Sequence, residues 1–283
     1  MASICRWGFL STAGIGRKNW KAIFHAENAT VAAVASRDIH KARSFIAENQ
    51  ANTPFASAPV AYGDYESLIA DPNIDAIYVP LPTALRKQWV IAAAEAGKHV
   101  LCEKPCASNL AELKMMIDAC RKNDVQFMDG VMFMHSARLP AMKAVLHDEN
   151  RIGKLRRIGI QFSFCGPDSF FQSDIRTHSQ MEPQGCLGDL GWYCIRMMLW
   201  AMDGKLPLEV FRPHFDRRQT TSQSRQCTSG IFCRNYFLKV MSPLHSIVRS
   251  SPNINSLSVF CGSKGYVQVD DFVLPYLGGE LSF

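Results

Sequence analysis

Nothing in this chain approaches the roughly 18–20 consecutive apolar residues that a membrane span needs. No secretory leader is expected either: Arg6 precedes Trp7-Gly8-Phe9-Leu10, but that run breaks at once into Ser11-Thr12-Ala13-Gly14. These two absences predict a cytoplasmic protein with no membrane partner. Among ten cysteines there is no Cys-x-x-Cys. Cys102 and Cys106 have no second ligand pair nearby, so no metal site is expected. With no secretory signal expected, a disulfide framework is not expected in a chain of 283 residues either. The cysteines are therefore expected to be reduced and partly buried. No nucleic-acid recognition motif accompanies the formal charge of +6. That excess is local, with seven basic residues between 208 and 255 against only Glu209 and Asp216. No nucleic-acid partner is expected.

What is present is a chain able to bury a core, 47% hydrophobic and 20% charged. Its first 130 residues alternate strand-like and helix-like patterns. Strands are predicted at 4–10, 30–35, 75–80, 99–101 and 125–128. Helices are predicted at 18–25, 39–49, 65–69, 84–96 and 110–123. Repeated βα units predict an α/β fold with a doubly wound parallel Rossmann sheet over residues 1–130. After that the pattern changes. Ile158 to Phe164 alternates like a strand with one covered face. Residues 189–202 read as helix, and 257–261 with 266–269 flank the hairpin signal Gly262-Ser263-Lys264-Gly265. Residues 131–283 thus predict a second, α+β domain.

The first strand runs into a small-residue turn, Gly8-Phe9-Leu10-Ser11-Thr12-Ala13-Gly14-Ile15-Gly16. Dinucleotide sites need small residues there, for a tight turn and a close approach of backbone to pyrophosphate at a helix N-terminus. The G-x-G-x-x-G slots fall on Ser11, Ala13 and Gly16, a degenerate version. Gly8, Ser11, Ala13, Gly14 and Ile15 are the candidate pyrophosphate segment. At the end of the second strand, NAD-preferring sites carry Asp or Glu for the ribose hydroxyls. This chain has Ser36-Arg37, and a guanidinium can hold a 2′-phosphate that a carboxylate would repel. NADP is the expected cofactor over NAD. Asp38 lies two residues beyond the usual acidic slot and reads as a helix N-cap.

Three further segments carry a resemblance: Tyr78-Val79-Pro80-Leu81-Pro82-Thr83, Glu103-Lys104-Pro105 and Gly188-Asp189-Leu190-Gly191-Trp192-Tyr193. Together they resemble the glucose–fructose oxidoreductase / inositol dehydrogenase / MocA (Gfo/Idh/MocA) family. The likeness is nearest its dihydrodiol dehydrogenase and NADP-dependent D-xylose dehydrogenase branch, plant relatives included. It covers residues 4–207 and resumes at about 256–276. The resemblance implies that the second domain, 131–283, serves substrate and dimerisation and has an open mixed sheet, and it implies hydride transfer between a sugar or diol carbon and nicotinamide at a cleft between the two domains. It implies Lys104, Tyr193 and Asp189 as catalytic groups, and Leu81, Pro82, Thr83, Glu103 and Lys104 at the cofactor. It places Arg176 of Asp174-Ile175-Arg176, Arg138 and Trp192 toward substrate, with His135 nearby. The family often has histidine where this chain has Arg86. A homodimer through the second sheet is a further implication.

The residues themselves agree with a proton-transfer role. Asp189 and Tyr193 are i and i+4, on one face of a regular helix. Bringing a phenol from pKa about 10 to about 7 requires roughly 4 kcal/mol. A lysine about 4 Å away supplies that order of energy at an effective dielectric near 20.

Residues 208–255 show no recognisable strands, and the family pattern returns abruptly at Ser258. A local reading-frame change or a retained intron would produce that loss and recovery. Relatives would also continue past Phe283 with more strands and a closing helix. The expectation is a truncated second sheet with exposed apolar faces. Two other readings stay open beside the dehydrogenase. One is an NADP(H)-binding protein whose substrate domain is defective. The other is a methyltransferase on a Rossmann-like sheet, against which Ser36-Arg37 argues.

Overall fold

The computed structural model describes residues 4–164, 170, 172, 174–211, 232–234 and 254–273. They fall into two compact units, Met1–Gly130 with Gln180–Pro183, and Val131–Ser179 with Gln184–Phe283.

The first unit is a six-stranded sheet flanked by helices. In chain order its elements are β1 (Cys5–Leu10), α1 (Gly16–Phe24), β2 (Ala29–Ala35), α2 (Ile39–Asn52), β3 (Val60–Tyr62), α3 (Tyr65–Ala70), β4 (Ala76–Val79), α4 (Thr83–Glu95), β5 (His99–Cys102), α5 (Leu110–Lys122) and β6 (Phe127–Asp129). The strand order is β3-β2-β1-β4-β5-β6, and every pairing is parallel. A sheet of this kind must be covered on both faces. Along β2, Val31 and Val34 pack with Trp20, Phe45 and Tyr78 on one face. Ala33 and Ala35 pack with Leu68, Ile77 and Val79 on the other. The α/β class and the doubly wound parallel sheet expected from the sequence are what the chain forms. Three helices start on capping residues: Asp38, Asp64 and Asn109 accept N–H bonds from His40, Ser67 and Glu112. At the opposite end of the sheet from the candidate turns, Arg6 and Asp75 tie β1 to β4. The guanidinium contacts the carboxylate at 2.7 Å, and the Arg6 backbone N–H donates to it at 2.8 Å.

The second unit holds a 3₁₀ turn (Met132–His135), α6 (Arg138–Leu146), β7 (Leu155–Phe164), a π-helical turn (Leu187–Gly191), α7 (Trp192–Ala201), β8 (Glu209–Phe211), β9 (Phe232–Arg234), β10 (Ile254–Gly262) and β11 (Tyr266–Val269). A three-stranded sheet runs β11-β10-β7. Ile158, Ile160 and Phe162 of β7 stand opposite Phe260, Ser258 and Ser256 of β10, and all six are buried. This is the one-face alternation expected of 158–164. The sheet was expected to be mixed. Its described strand pairs are antiparallel, because a hairpin joins β10 to β11, and the parallel element is a single bridge, Ser256 to Asp271.

Residues 208–255 were expected to lack strands. Glu209–Phe211 and Phe232–Arg234 nevertheless pair antiparallel, and β10 begins at Ile254. Three-residue strands are too short to show a period in sequence. The remainder of that stretch, and 274–283, lie outside the described residues.

Candidate active site

Four of the segments singled out in the sequence follow neighbouring strands. Ser36-Arg37 follows β2, Ser11 follows β1, Leu81-Pro82-Thr83 comes after β4, and Glu103-Lys104 follows β5. Because β2-β1-β4-β5 are adjacent and parallel, their carboxyl ends lie side by side. The reversal of strand order between β1 and β4 is the position where open α/β sheets bind ligands.

Backbone geometry carries the first of these. Ser11 has a φ of 121°, a region L-residues rarely adopt, and its N–H is bonded to Ala35 O at 3.0 Å. Its hydroxyl accepts from the Ala13 N–H at 3.3 Å. Helix α1 has no side-chain cap and no acidic residue in its first turn. Gly14 and Ile15 are exposed just before it. An uncapped N-terminus of this kind suits an anion. Gly16 packs under Phe45, where an added Cβ would lie 3.2 Å from the ring. Gly8 is not part of the turn. It lies inside β1, where an added Cβ would stand 2.6 Å from Leu68. Gly8 therefore holds a strand–helix packing position.

At the end of β2, Ser36 is buried and its hydroxyl accepts from the Asp38 N–H at 3.3 Å. Arg37 is exposed. Its positive charge lies close enough to the Tyr65 phenol to oppose the upward push of burial on that group. Asp38 accepts from the His40 N–H at 2.9 Å as the cap of α2, the role read from sequence. The donors at this strand end are thus a hydroxyl and a guanidinium, and the carboxylate that follows in sequence, Asp38, caps its helix. That set fits a dinucleotide bearing a 2′-phosphate.

The Glu103-Lys104-Pro105 loop is held by its neighbours. The buried Tyr78 hydroxyl donates to Glu103 Oε1 at 2.7 Å. Burial, and then the Glu103 charge, hold that phenol protonated far above its ordinary range. The Lys104 N–H donates to Glu103 Oε2 at 3.2 Å, and Lys104 is half-buried. Arg86, only 5% exposed, donates from Nε to Leu81 O at 2.7 Å and from Nη1 to Pro105 O. One guanidinium thus joins the two loops. Cys102 and Cys106 are buried free thiols at either end of this loop. Their contact, with burial, pushes the Cys102 thiol well up. No cluster able to hold a metal occurs among the described residues.

In the second unit, Asp189 lies in the π-helical turn and Tyr193 in the first turn of α7. The expectation of one regular helix over 189–202 is corrected by that wider turn. Gly191 closes that turn, and a Cβ there would stand 2.8 Å from the end of the Leu187 side chain. The Tyr193 ring packs between Phe162 (centroids 5.3 Å apart) and Phe133 (6.1 Å). Trp192 is half-buried beside it. Arg176 makes a two-point contact with Asp174, at 2.9 and 3.0 Å, and lies 3.9 Å from Asp189. It also stacks over Phe170. Arg138 donates to Asp271 O at 2.6 Å, a tie between α6 and the strand end after β11. His135 is exposed.

Sequence reasoning did not assign roles to Tyr78, Arg86 or Glu182. Arg86 left a signal: it falls on the same face of α4 as Thr83, Val90 and Ala94, all buried. A charge at a core-face position needs partners. Glu182 left none, because its partner Thr83 is 99 residues away.

The parallel sheet, its order reversal and the turn after β1 define a dinucleotide-binding Rossmann domain. Residues 5–131 match the oxidoreductase family with NAD-binding Rossmann fold, and residues 141–212 match the GFO/IDH/MocA C-terminal domain. The chain belongs to the Gfo/Idh/MocA oxidoreductase family, as its motifs implied. It is 36% identical over 190 residues to D-xylose 1-dehydrogenase (NADP(+)) 2 of Haloferax volcanii, covering 67% of this chain and 54% of that protein. To trans-1,2-dihydrobenzene-1,2-diol dehydrogenase of Xenopus laevis it is 29% identical over 271 residues, covering 95% and 76%. The chain thus spans about half the length of the first relative and three quarters of the second. Among solved structures, it superposes on a 3-ketoreductase from Actinomadura kijaniata in complex with NADP. The TM-score is 0.74 at 22% identity, covering 96% and 77% of the two chains. The WlbA dehydrogenase from Bordetella pertussis gives 0.75 at 18% identity, covering 97% and 76%. Those two likenesses show the fold.

Proposed function

We propose that this chain is an NADP-dependent dehydrogenase that oxidises a hydroxyl carbon of a sugar, an aldose such as D-xylose, or of a trans-dihydrodiol. The observation that carries the reading is the exposed Arg37 beside Ser36 at the end of β2, where the following carboxylate, Asp38, caps α2 through one oxygen. The names of the two relatives, an NADP-dependent aldose dehydrogenase and a dihydrodiol dehydrogenase, supply the substrate class.

When bound, the nicotinamide supplies the hydride acceptor. The chain's own groups do the rest. Ser11, Ala13, Gly14 and Ile15 present the uncapped α1 N-terminus to the pyrophosphate, while Ser36 and Arg37 bind the 2′-phosphate. Leu81, Pro82 and Thr83 support the ribose side. Tyr193 takes the hydroxyl proton, and the Lys104 ammonium stabilises negative charge developing on oxygen. Arg176 orients Asp189, whose carboxylate orients the substrate hydroxyl, with Trp192 as a wall. A homodimer through the second sheet belongs to the same reading, and light scattering of the purified chain tests it.

The test is a panel of aldoses and trans-diols with NADP and NAD, followed at the absorbance of the reduced cofactor. Turnover is expected with NADP and at least one panel member. Lys104→Ala and Tyr193→Phe are each expected to lower kcat by about 10²–10⁴-fold, the range of a lost charge-stabilising or proton-transfer group. Normal turnover in both variants rejects the assignment. The packing of Tyr193 among Phe133 and Phe162 favours one second reading, an NADP(H)-binding protein without catalysis. NADPH binding with no turnover of any panel compound would establish it.

A further inference from the structure

Helix α4 begins at Thr83, the last residue of the segment Leu81-Pro82-Thr83, and its N-terminus differs from those of α2, α3 and α5. Helices α2, α3 and α5 each start on a local Asp or Asn that accepts a backbone N–H. The cap position of α4 is Pro82, and its side chain makes no such bond. The missing acceptors arrive from far along the chain. Glu182 Oε1 accepts from the Thr83 N–H at 3.1 Å, and Oε2 accepts from the Thr83 hydroxyl at 2.5 Å. Met181 O accepts from the Ala84 N–H, also at 3.1 Å. Thr83 is 1% exposed beneath these contacts. The segment that supplies them, Gln180–Pro183, belongs to the first unit although the chain before and after it belongs to the second.

Capping alone does not need this arrangement, since a residue in place of Pro82 could do it locally. The carboxylate instead makes a two-point hold on Thr83 at the positive end of a helix dipole, where charge-assisted bonds are strongest. It also sits in sequence between two candidate groups, six residues after Arg176 and seven before Asp189.

We propose that Glu182 is a positioning residue for the cofactor: by binding Thr83 it fixes Leu81-Pro82-Thr83 in the conformation that receives the ribose side of NADP(H). The inference rests on the cofactor reading above. A preformed loop lowers the ordering cost of binding, so loosening it weakens affinity without removing any contact to the ligand.

The experiment uses the full chain with Glu182→Ala, Glu182→Gln and Thr83→Val, each checked for folding by circular dichroism. NADPH dissociation constants are measured by fluorescence titration, and amide exchange is followed in the cofactor-free chain. Glu182→Ala is expected to raise the NADPH dissociation constant about ten-fold, the loss of a charged hydrogen bond. Glu182→Gln keeps an acceptor without charge and is expected to fall between. Exchange at Thr83 and Ala84 is expected to accelerate in the alanine variant, with β2 and β5 unchanged. The turnover signature is a raised KM for NADP at little-changed kcat. A dissociation constant within two-fold of the parent in a folded variant overturns the inference. If Glu182→Ala does not fold, Glu182→Gln decides it by the same criterion. Failure of the parent chain to bind NADPH is a separate outcome, and it removes the cofactor reading and this inference together.

Discussion

Two residues in the first unit hold conformations or charges that their neighbours must support. Ser11 occupies the first small-residue slot after β1 at a φ of 121°. A side chain in that region costs on the order of 1–3 kcal/mol, and glycine avoids the cost. Ser11→Gly is therefore expected to exceed Ser11→Ala in stability by about 1 kcal/mol. Both variants lose the bond to the Ala13 N–H, so their difference isolates the backbone. Equal urea midpoints for the two would sink the strain argument. Arg86 is the second case. Arg86→Leu would leave Leu81 O and Pro105 O without their shared donor, at a cost of about 3 kcal/mol. A lysine has no fork to reach both oxygens, so Arg86→Lys is expected to recover only part of that loss. Full stability in Arg86→Lys would show that the fork is not used. The residue scale is also where sequence and structure part. The Asp38 cap was legible because it depends on a helix start, and the position of Ser36-Arg37 was legible because it depends on a strand end. The Tyr78–Glu103 and Arg86–Pro105 bonds were not, because each depends on which side chain a neighbouring element turns inward.

At the level of elements, βα alternation was readable because both signals in it are local: apolar runs for buried strands, and capped periodic stretches for helices. Missed elements had reasons. Strand β3 is three residues at the sheet edge, and α6 carries Pro140 in its first turn, where proline is tolerated. The π-helical turn before α7 adds a residue to one turn, a local widening that a periodicity count does not register. The join between β1 and β4 offers a pH test. Hydrogen bonding to Arg6 holds the Asp75 carboxyl below its ordinary range. A carboxyl lowered on folding adds stability above its unfolded pKa, about 3.9. That contribution is lost as pH falls through the lower folded value. Asp75→Asn is therefore expected to melt below the parent at neutral pH, with the gap closing as the pH drops below about 4. Both side chains are more than a third exposed, so the gap should also shrink in high salt. A gap independent of pH would mean that packing, not charge, accounts for it.

For the whole molecule, the two compact units differ in how far sequence could describe them. In the first, the βα alternation is a local signal, so its elements could be laid out along the chain even though β1 pairs with β4. The short stretch Gln180–Pro183 could not, because it joins that unit across 99 residues through Thr83 and Glu182. In the second unit, family resemblance and structure agree through α7, and the match to the family's C-terminal domain ends at residue 212. Cofactor binding gives a readout that involves the entire chain and does not require turnover. A ligand present at 100 times its dissociation constant stabilises the folded state by about 2.7 kcal/mol. NADPH at that ratio is therefore expected to raise the melting temperature measurably. The gain depends on Arg37 if its guanidinium binds the 2′-phosphate. Arg37→Asp replaces that charge with the carboxylate found in NAD-preferring sites. At one fixed cofactor concentration, it should remove at least half of the NADPH shift while leaving or enlarging the NADH shift. An equal loss for both cofactors would mean that Arg37 supports the fold of the strand end and does not discriminate the phosphate. Loss for NADPH alone would tie the choice of cofactor to the basic residue that follows β2.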